Sequence, residues 1–195
     1  MIKKLIRTYC FIKYVMRTKK WHWSNRINSP LSIDGIQNIQ MGVNSYIKDG
    51  AYIIVVPLTG EKESRFIMGD NSHIQFGGHI VATKSIVIGN NCNIGSNVYI
   101  ADNTHGYEDI DIAPKFQPIK QLNEVVIGDD TWIGRNACVM GCRIGKHCVI
   151  GANSVVNKDV PDYCVATGMP AKIVKRFDFK TLQWRKTDSK GNFID

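Results

Sequence analysis

The chain has 195 residues, 44% of them hydrophobic, and its 25 lysines and arginines against 17 aspartates and glutamates give a formal net charge of +8. That length suits one substantial core, and no apolar run approaches the roughly 20 residues of a spanning helix, so a membrane-crossing segment is not expected. The positive excess points to an anionic partner or surface, but no nucleic-acid-binding module accompanies it, which sets nucleic acid aside.

In chain order, Ile2, Leu5, Ile6, Tyr9, Ile12 and Met16 recur at helical spacing opposite Lys3, Lys4, Arg7, Lys13, Arg17, Lys19 and Lys20. This predicts an amphipathic helix with a basic face, which either packs on and caps whatever follows or lies on an anionic membrane surface. Lys13 interrupts the apolar stretch and no small-residue cleavage site follows, so a secretory signal is not expected. The expected location is cytoplasmic, with peripheral contact to the inner membrane as the alternative. Trp21, Trp23 and Pro30 mark the exit from the helix into irregular coil as far as about residue 50, and residues 51–56 and 64–68 read as flanking strands. Residues 1–67 are thus assigned to an N-terminal helix and cap.

From there the chain repeats. Phe76, Ala82, Ile88, Ile94 and Ile100 are successive sixth residues, each with a second member four places on at Ile80, Ile86, Cys92, Val98 and Thr104. The grid resumes at Ile127, Ile133 and Val139, with Thr131 and Ala137, and again at Ile144 and Ile150, with Cys148 and Ser154. A helix repeats every 3.6 residues and a strand every two, so a period of six fits neither alone. It fits short strands joined by corners: three sides close one coil, and stacked coils build a prism of parallel strands over residues 68–165. Five residues rather than six separate Val139 from Ile144, which leaves one side short. Cys92 and Cys148 fall on inward positions, and the six cysteines contain no CxxC pair, so buried free thiols in a reducing compartment are expected. One excursion, residues 105–124, leaves the grid; it holds Pro114 and Pro118, and a long loop inside a compact repeat usually serves function. Residues 166–195 abandon the period, and Phe177, Phe179, Leu182 and Trp184 suit a closing helix over the last coil.

The hexads, Asp102-Asn103-Thr104-His105-Gly106-Tyr107, Val126-Ile127-Gly128-Asp129-Asp130-Thr131-Trp132-Ile133-Gly134, and Gly168-Met169-Pro170-Ala171-Lys172-Ile173-Val174 together resemble the hexapeptide-repeat acetyltransferases. Within them the chain is most similar to the bacterial O-antigen and capsule polysaccharide O-acetyltransferases and to the maltose and galactoside acetyltransferase group. The resemblance implies an all-β, left-handed parallel β-helix, acetyl-CoA as acetyl donor with no metal, a saccharide acceptor, a homotrimer with clefts between adjacent columns, and a place in surface polysaccharide or lipopolysaccharide synthesis.

By position alone His105 is as easily a structural residue. The resemblance implies a general base: an imidazole whose ordinary pKa lies near ~6.5 can take a proton from a sugar hydroxyl, which then attacks the thioester carbonyl. Counting hexads back from the family's oxyanion-stabilising asparagine reaches Gln75, with a backbone N–H as the alternative. Trp132 matches a tryptophan lining the cleft and the pantetheine arm, or else packs on an outer face. Ala152 and Lys158, in Asn157-Lys158, match positions beside the cofactor. Lys172 and Lys175 stand where basic residues meet its phosphates, or else form a solvated basic face. Asn103 and Tyr107 are candidate acceptor contacts, together with Glu108 and Asp109 of the loop.

His22, His73, His79 and His147 read as structural or solvated. A zinc hydratase of this fold needs three clustered imidazoles, and no histidine follows His105 before His147. A non-catalytic binding platform and an N-acetyltransferase acting on an amino sugar are the other readings.

Overall fold

The computed structural model describes residues 22–194; the predicted amphipathic helix lies outside them. The described chain is a column of stacked coils with three parallel walls. The first wall is built from Arg26–Ile27, Tyr46–Ile47, His73–Ile74, Asn93–Ile94, Trp132–Ile133, Val149–Ile150 and Cys164–Gly168 in that order. The second stacks Ser32–Asp34, Tyr52–Val55, His79–Ala82, Tyr99–Ala101, Cys138–Met140 and Val155–Val156, and the third stacks Ile39–Met41, Arg65–Met68, Ser85–Ile88, Val125–Ile127 and Arg143–Ile144. Every lateral neighbour within a wall is thus a strand one full coil away, and each wall's backbone ladder ties successive coils together.

Register places like on like. Ile47, Ile74, Ile94, Ile133 and Ile150 pair in one line along the first wall, and Ile53, Ile80, Ile100 and Val139 in one along the second. All of these side chains are buried. Smaller inward residues turn the corner into the first wall and bond to the next coil. Ser72 Oγ donates to the Gly89 carbonyl at 2.6 Å, Thr131 Oγ1 to Gly145 at 2.9 Å, and the Cys148 thiol to Pro161 at 3.1 Å. The five described cysteines are free, and burial pushes the Cys142 thiol up to about 12 and that of Cys148 up to about 11.

The corners need left-handed backbone, which asparagine and aspartate tolerate better than other residues with a β-carbon. Asn44, Asn71, Asn91 and Asp130 all have φ between 54° and 59° and are linked side chain to side chain from coil to coil at 3.0, 3.3 and 2.9 Å. A second line runs Asn97, Asn136, Asn153. Where coils touch most closely a side chain is excluded: a β-carbon on Gly134 would lie 2.5 Å from the Ala152 nitrogen.

Three expectations are corrected. The column begins at Arg26 rather than residue 68, because Met41, Ile47, Ile53 and Met68, Ile74, Ile80 already keep the six-residue step with all six side chains buried; the region assigned to irregular coil and flanking strands supplies the first two coils. Phe76 is not an inward position; it is 58% exposed at a corner, and Ile74 fills the core instead. The tail is a hairpin rather than a helix: Cys164–Gly168, Ala171–Asp178 and Gln183–Lys186 pair antiparallel at the end of the first wall. Phe177 sits opposite Trp184 with ring centroids 5.6 Å apart, and Leu182 turns the tip at φ 55°.

Ile94 is fully buried at the middle of the column. Ile94→Ala is expected to cost about 2–5 kcal/mol in a urea or thermal unfolding measurement, whereas Phe76→Ala should lie within about 0.5 kcal/mol of the parent protein.

Candidate active site

The fourth coil breaks open after Tyr99–Ala101. The chain turns at Asp102 and runs out along Asn103–His105. It returns along Ile119–Gln121 before rejoining the third wall at Val125–Ile127. These two strands form a separate antiparallel ribbon in which Asn103 faces Gln121, Thr104 faces Lys120 and His105 faces Ile119. His105 is therefore the last residue of a paired strand and is exposed. Gly106 follows with its N–H donating to the Pro118 carbonyl at 3.0 Å, and a β-carbon there would stand 2.9 Å from the same oxygen, so the chain can close beside His105 only on a glycine.

Beyond Gly106 the excursion is held by its own side chains. The Gln117 amide donates to the Asp109 and Ile112 carbonyls at 2.8 and 2.7 Å and its oxygen accepts from Asp109 N–H at 3.2 Å. Glu108 pairs with Lys120, and that contact with the Tyr107 N–H holds its carboxyl down to about 2 although it is solvent-exposed. The loop is less polar at its surface than its sequence suggests: Tyr107, Ile110, Ile112 and Phe116 are all exposed.

The other predicted site residues fall in two groups. Trp132 points outward from the first wall, 54% exposed, in one register line that runs Asn93, Trp132, Val149, Val165, Lys175. Three interstrand steps put Trp132 and Lys175 roughly 14 Å apart on one face. Lys172 lies on the same terminal hairpin, opposite Thr167, and Ala152 occupies the exposed corner just past Val149–Ile150. The Gly168-Met169-Pro170-Ala171 stretch makes the bend between hairpin strands, with a cis Met169–Pro170 bond. Lys158 is not on this face; it is exposed past Val155–Val156, on the corner leading to the third wall. That is the corner from which His105 departs, two coils earlier.

Gln75 is half-buried on the first wall, its amide donating to Asn93 Oδ1 at 3.1 Å. Within one chain no contact joins it to His105. Asn103 is turned inward, 7% exposed, with its amide donating to the Val81 carbonyl at 3.0 Å and to Asp102 Oδ1 at 3.1 Å. Its side chain is committed to holding the ribbon. The sequence reading missed the residues that tie the ribbon down, Thr83, Asp102 and Gln121; the signal available was a charged side chain at a corner where an inward residue was due.

The remaining histidines sit among rings. His73 stacks on Tyr46 at 3.8 Å, His79 meets Tyr52 and Tyr99 edge-on, and His147 lies beside Tyr163 and Trp184. Burial lowers the pKa of His73 and His79. Among the described residues no three His, Cys, Asp or Glu side chains converge as a metal site, and no helix is long and apolar enough to cross a membrane.

Comparison with known proteins places these features in context. Residues 124–158 match the bacterial transferase hexapeptide model (six repeats), and residues 85–104 match the hexapeptide repeat of succinyl-transferase. The chain is 38% identical over 124 residues to the Escherichia coli K12 protein WbbJ, whose name refers to O-acetyl transfer in lipopolysaccharide biosynthesis, an alignment covering 60% of this chain and 63% of that one. It is 32% identical over 161 residues to the galactoside O-acetyltransferase of Lactococcus lactis, covering 80% of this chain and 72% of that one. Among solved structures, AntD, an N-acyltransferase from Bacillus cereus in complex with dTDP and 3-hydroxybutyryl-CoA, superposes with a TM-score of 0.71 at 18% identity, over 87% of this chain and 89% of that one. At that identity the likeness is one of fold.

Because the Gln117 amide carries the excursion's internal bonds, Gln117→Ala is expected to speed limited proteolysis within residues 107–118 several-fold while the column's unfolding midpoint stays within about 2 °C.

Proposed function

Since the chain belongs to the hexapeptide-repeat acetyltransferases, we propose that it moves an acetyl group from acetyl-CoA to a hydroxyl of a sugar, in the assembly of an O-antigen or capsule polysaccharide, with His105 as general base. The observation that carries this reading is the placement of His105: an exposed imidazole on the one ribbon that, among the described residues, leaves the column between two of its walls, beside a glycine that lets the chain pass close to it.

The chemistry is a direct transfer. The neutral imidazole takes the proton of the acceptor hydroxyl as its oxygen attacks the thioester carbonyl. The tetrahedral intermediate collapses with loss of the CoA thiolate, which receives that proton from the imidazolium. No acyl-enzyme is required. The carbonyl oxygen carries the developing charge, and the donor aimed at it is either Gln75 of a neighbouring subunit or a backbone N–H.

The first wall suits the donor. Trp132 gives an outward aromatic face for the pantetheine arm, Ala152 a corner that an extended ligand can approach closely, and Lys172 and Lys175 positive charge for the nucleotide phosphates. Lys158, around the corner, reaches the same cofactor only if the arm bends past the column's edge. Tyr107 and the loop wall the acceptor pocket. Asn103 acts there by shaping the ribbon, since its amide bonds are taken.

A wind of the left hand and a homotrimer complete the reading. The match to hexapeptide-repeat models supports the first. The second rests on the outer face of the second wall, where Ile54, Val81, Tyr99, Cys138, Met140 and Val155 are half-buried in one chain and make a largely apolar strip. Packing three such faces about an axis would set His105 of one subunit toward the first wall of the next and give three equivalent clefts. The expected location is the cytoplasm, with the acceptor delivered at the inner membrane surface. An amino-sugar acceptor is the second reading, favoured by the fold likeness to an N-acyltransferase; the greater identity to proteins named for O-acetyl transfer favours the hydroxyl.

His105→Ala is expected to lower acetyl transfer to a saccharide acceptor by about 10²–10⁴-fold, followed as thiol release, while CoA titrated in a calorimeter binds within about threefold of the parent. Undiminished turnover in that variant removes the assignment.

A further inference from the structure

Asp102 is a charged residue at an inward corner of an aliphatic column, and it is fully buried. Its carboxylate accepts five hydrogen bonds, all from neutral donors. Oδ1 takes Thr83 N–H at 2.8 Å, Thr83 Oγ1 at 2.9 Å and the Asn103 amide at 3.1 Å; Oδ2 takes Lys84 N–H at 2.8 Å and Ser85 N–H at 2.7 Å. Burial pushes its carboxyl up, but the bonds from Thr83, Asn103, Lys84 and Ser85 outweigh that and leave it below the ordinary value. A buried anion is retained at such a cost only where its donors are all in place.

Asp102 also grips the returning strand. Its carbonyl accepts Leu122 N–H at 2.8 Å and the Gln121 side-chain amide at 2.6 Å, while Gln121 Oε1 lies 2.6 Å from Thr59 Oγ1 and 3.0 Å from Thr83 Oγ1. Both strands of the ribbon are therefore fastened at one point, to the preceding coil through Thr83, Lys84 and Ser85. His105 stands three residues from it, and the Asn103 amide extends the grip one residue along.

We propose that Asp102 is a positioning residue for His105: its carboxylate, with Gln121 as the latch on the opposite strand, anchors the ribbon to the third coil and so fixes where the imidazole is presented, without itself touching substrate. This rests on the reading of His105 as the base. The part played by Asp102 is separable from simple support of the fold, because at the same corner of other coils the side-chain bonds come from Asn38, which donates to the Val55 carbonyl, and Asp159, which accepts from Arg143 N–H, and neither contact involves the ribbon.

The test compares the full-length parent with Asp102→Asn, Gln121→Leu and His105→Ala by hydrogen–deuterium exchange and by thiol release from acetyl-CoA with methyl β-D-galactopyranoside. Asp102→Asn puts an amide donor where two oxygens accept N–H groups. It is expected to speed exchange in residues 103–121 by about tenfold or more, with wall peptides such as 86–100 unchanged, and to cut kcat by about 10–100-fold with the KM for acetyl-CoA within threefold. Gln121→Leu leaves the carboxylate's own bonds intact, so it reports the latch even if Asp102→Asn folds poorly; the same effects in smaller degree are expected. Unchanged exchange in the ribbon, or loosening spread evenly over the column, overturns the anchor. Faster ribbon exchange with kcat unaltered, where His105→Ala lowers it, overturns the positioning role. If His105→Ala has no effect on thiol release, the base assignment fails on its own account, and exchange alone then decides whether Asp102 anchors the ribbon.

Discussion

Each inward side chain must land on its counterpart one coil away, and the rest of the structure follows from that requirement. A wall strand has no lateral partner within its own coil; its N–H and C=O groups are satisfied only by strands a full circuit apart. Coil length is therefore fixed at each circuit by the partner already laid down, and a residue added or lost must be absorbed at a corner. The short side between Val139 and Ile144 is absorbed at Gly141, which takes φ 52°. Where an insertion is too long for a corner it has to leave the column altogether, pair with itself and return in register. That is what residues 103–121 do, and it explains why the exposed imidazole and the longest excursion coincide.

Leaving the column creates an electrostatic problem that Asp102 resolves. The corner before an excursion has unpaired N–H groups at Thr83, Lys84 and Ser85, because the chain that would cover them has turned outward. A carboxylate satisfies three N–H groups, a hydroxyl and an amide at once, which no neutral side chain of that size can match. The same residue that closes the wound in the column thus becomes the root of the ribbon that carries His105.

The hexad pattern is legible over residues 80–104 and again over 127–154 because large aliphatics and small corner residues alternate on both sides of the excursion. The first two coils keep the same step, but residues 56–64 lengthen one corner, and the tryptophans and Pro30 look like the end of a helix when read locally. Phe76 reads as an inward residue since an aromatic on a six-residue grid cannot declare its phase; only the pairing of Ile74 with Ile47 and Ile94 settles it. In the tail, Phe177, Phe179, Leu182 and Trp184 carry spacing compatible with a helix. Antiparallel pairing across the tip puts Phe177 against Trp184 instead, a contact between strands that no local pattern announces.

The candidate site divides in the same way. His105 and Trp132 were legible as side chains in recognisable motifs, and the line Trp132, Val149, Val165, Lys175 follows from register once the walls are known. What sequence could not supply is which polar side chains are already spent. Asn103, two residues from the imidazole, looks like a substrate ligand until its amide is found on Val81 and Asp102. Gln75 is different: one of its two amide N–H groups donates to Asn93, and the second is open to the oxyanion role proposed for it. Asn103 has both of its amide N–H groups engaged at a buried site, where leaving a partner unsatisfied costs about 1–3 kcal/mol. The two amides therefore stand differently toward the proposed chemistry: Gln75 has a donor to spare, and Asn103 is part of the frame.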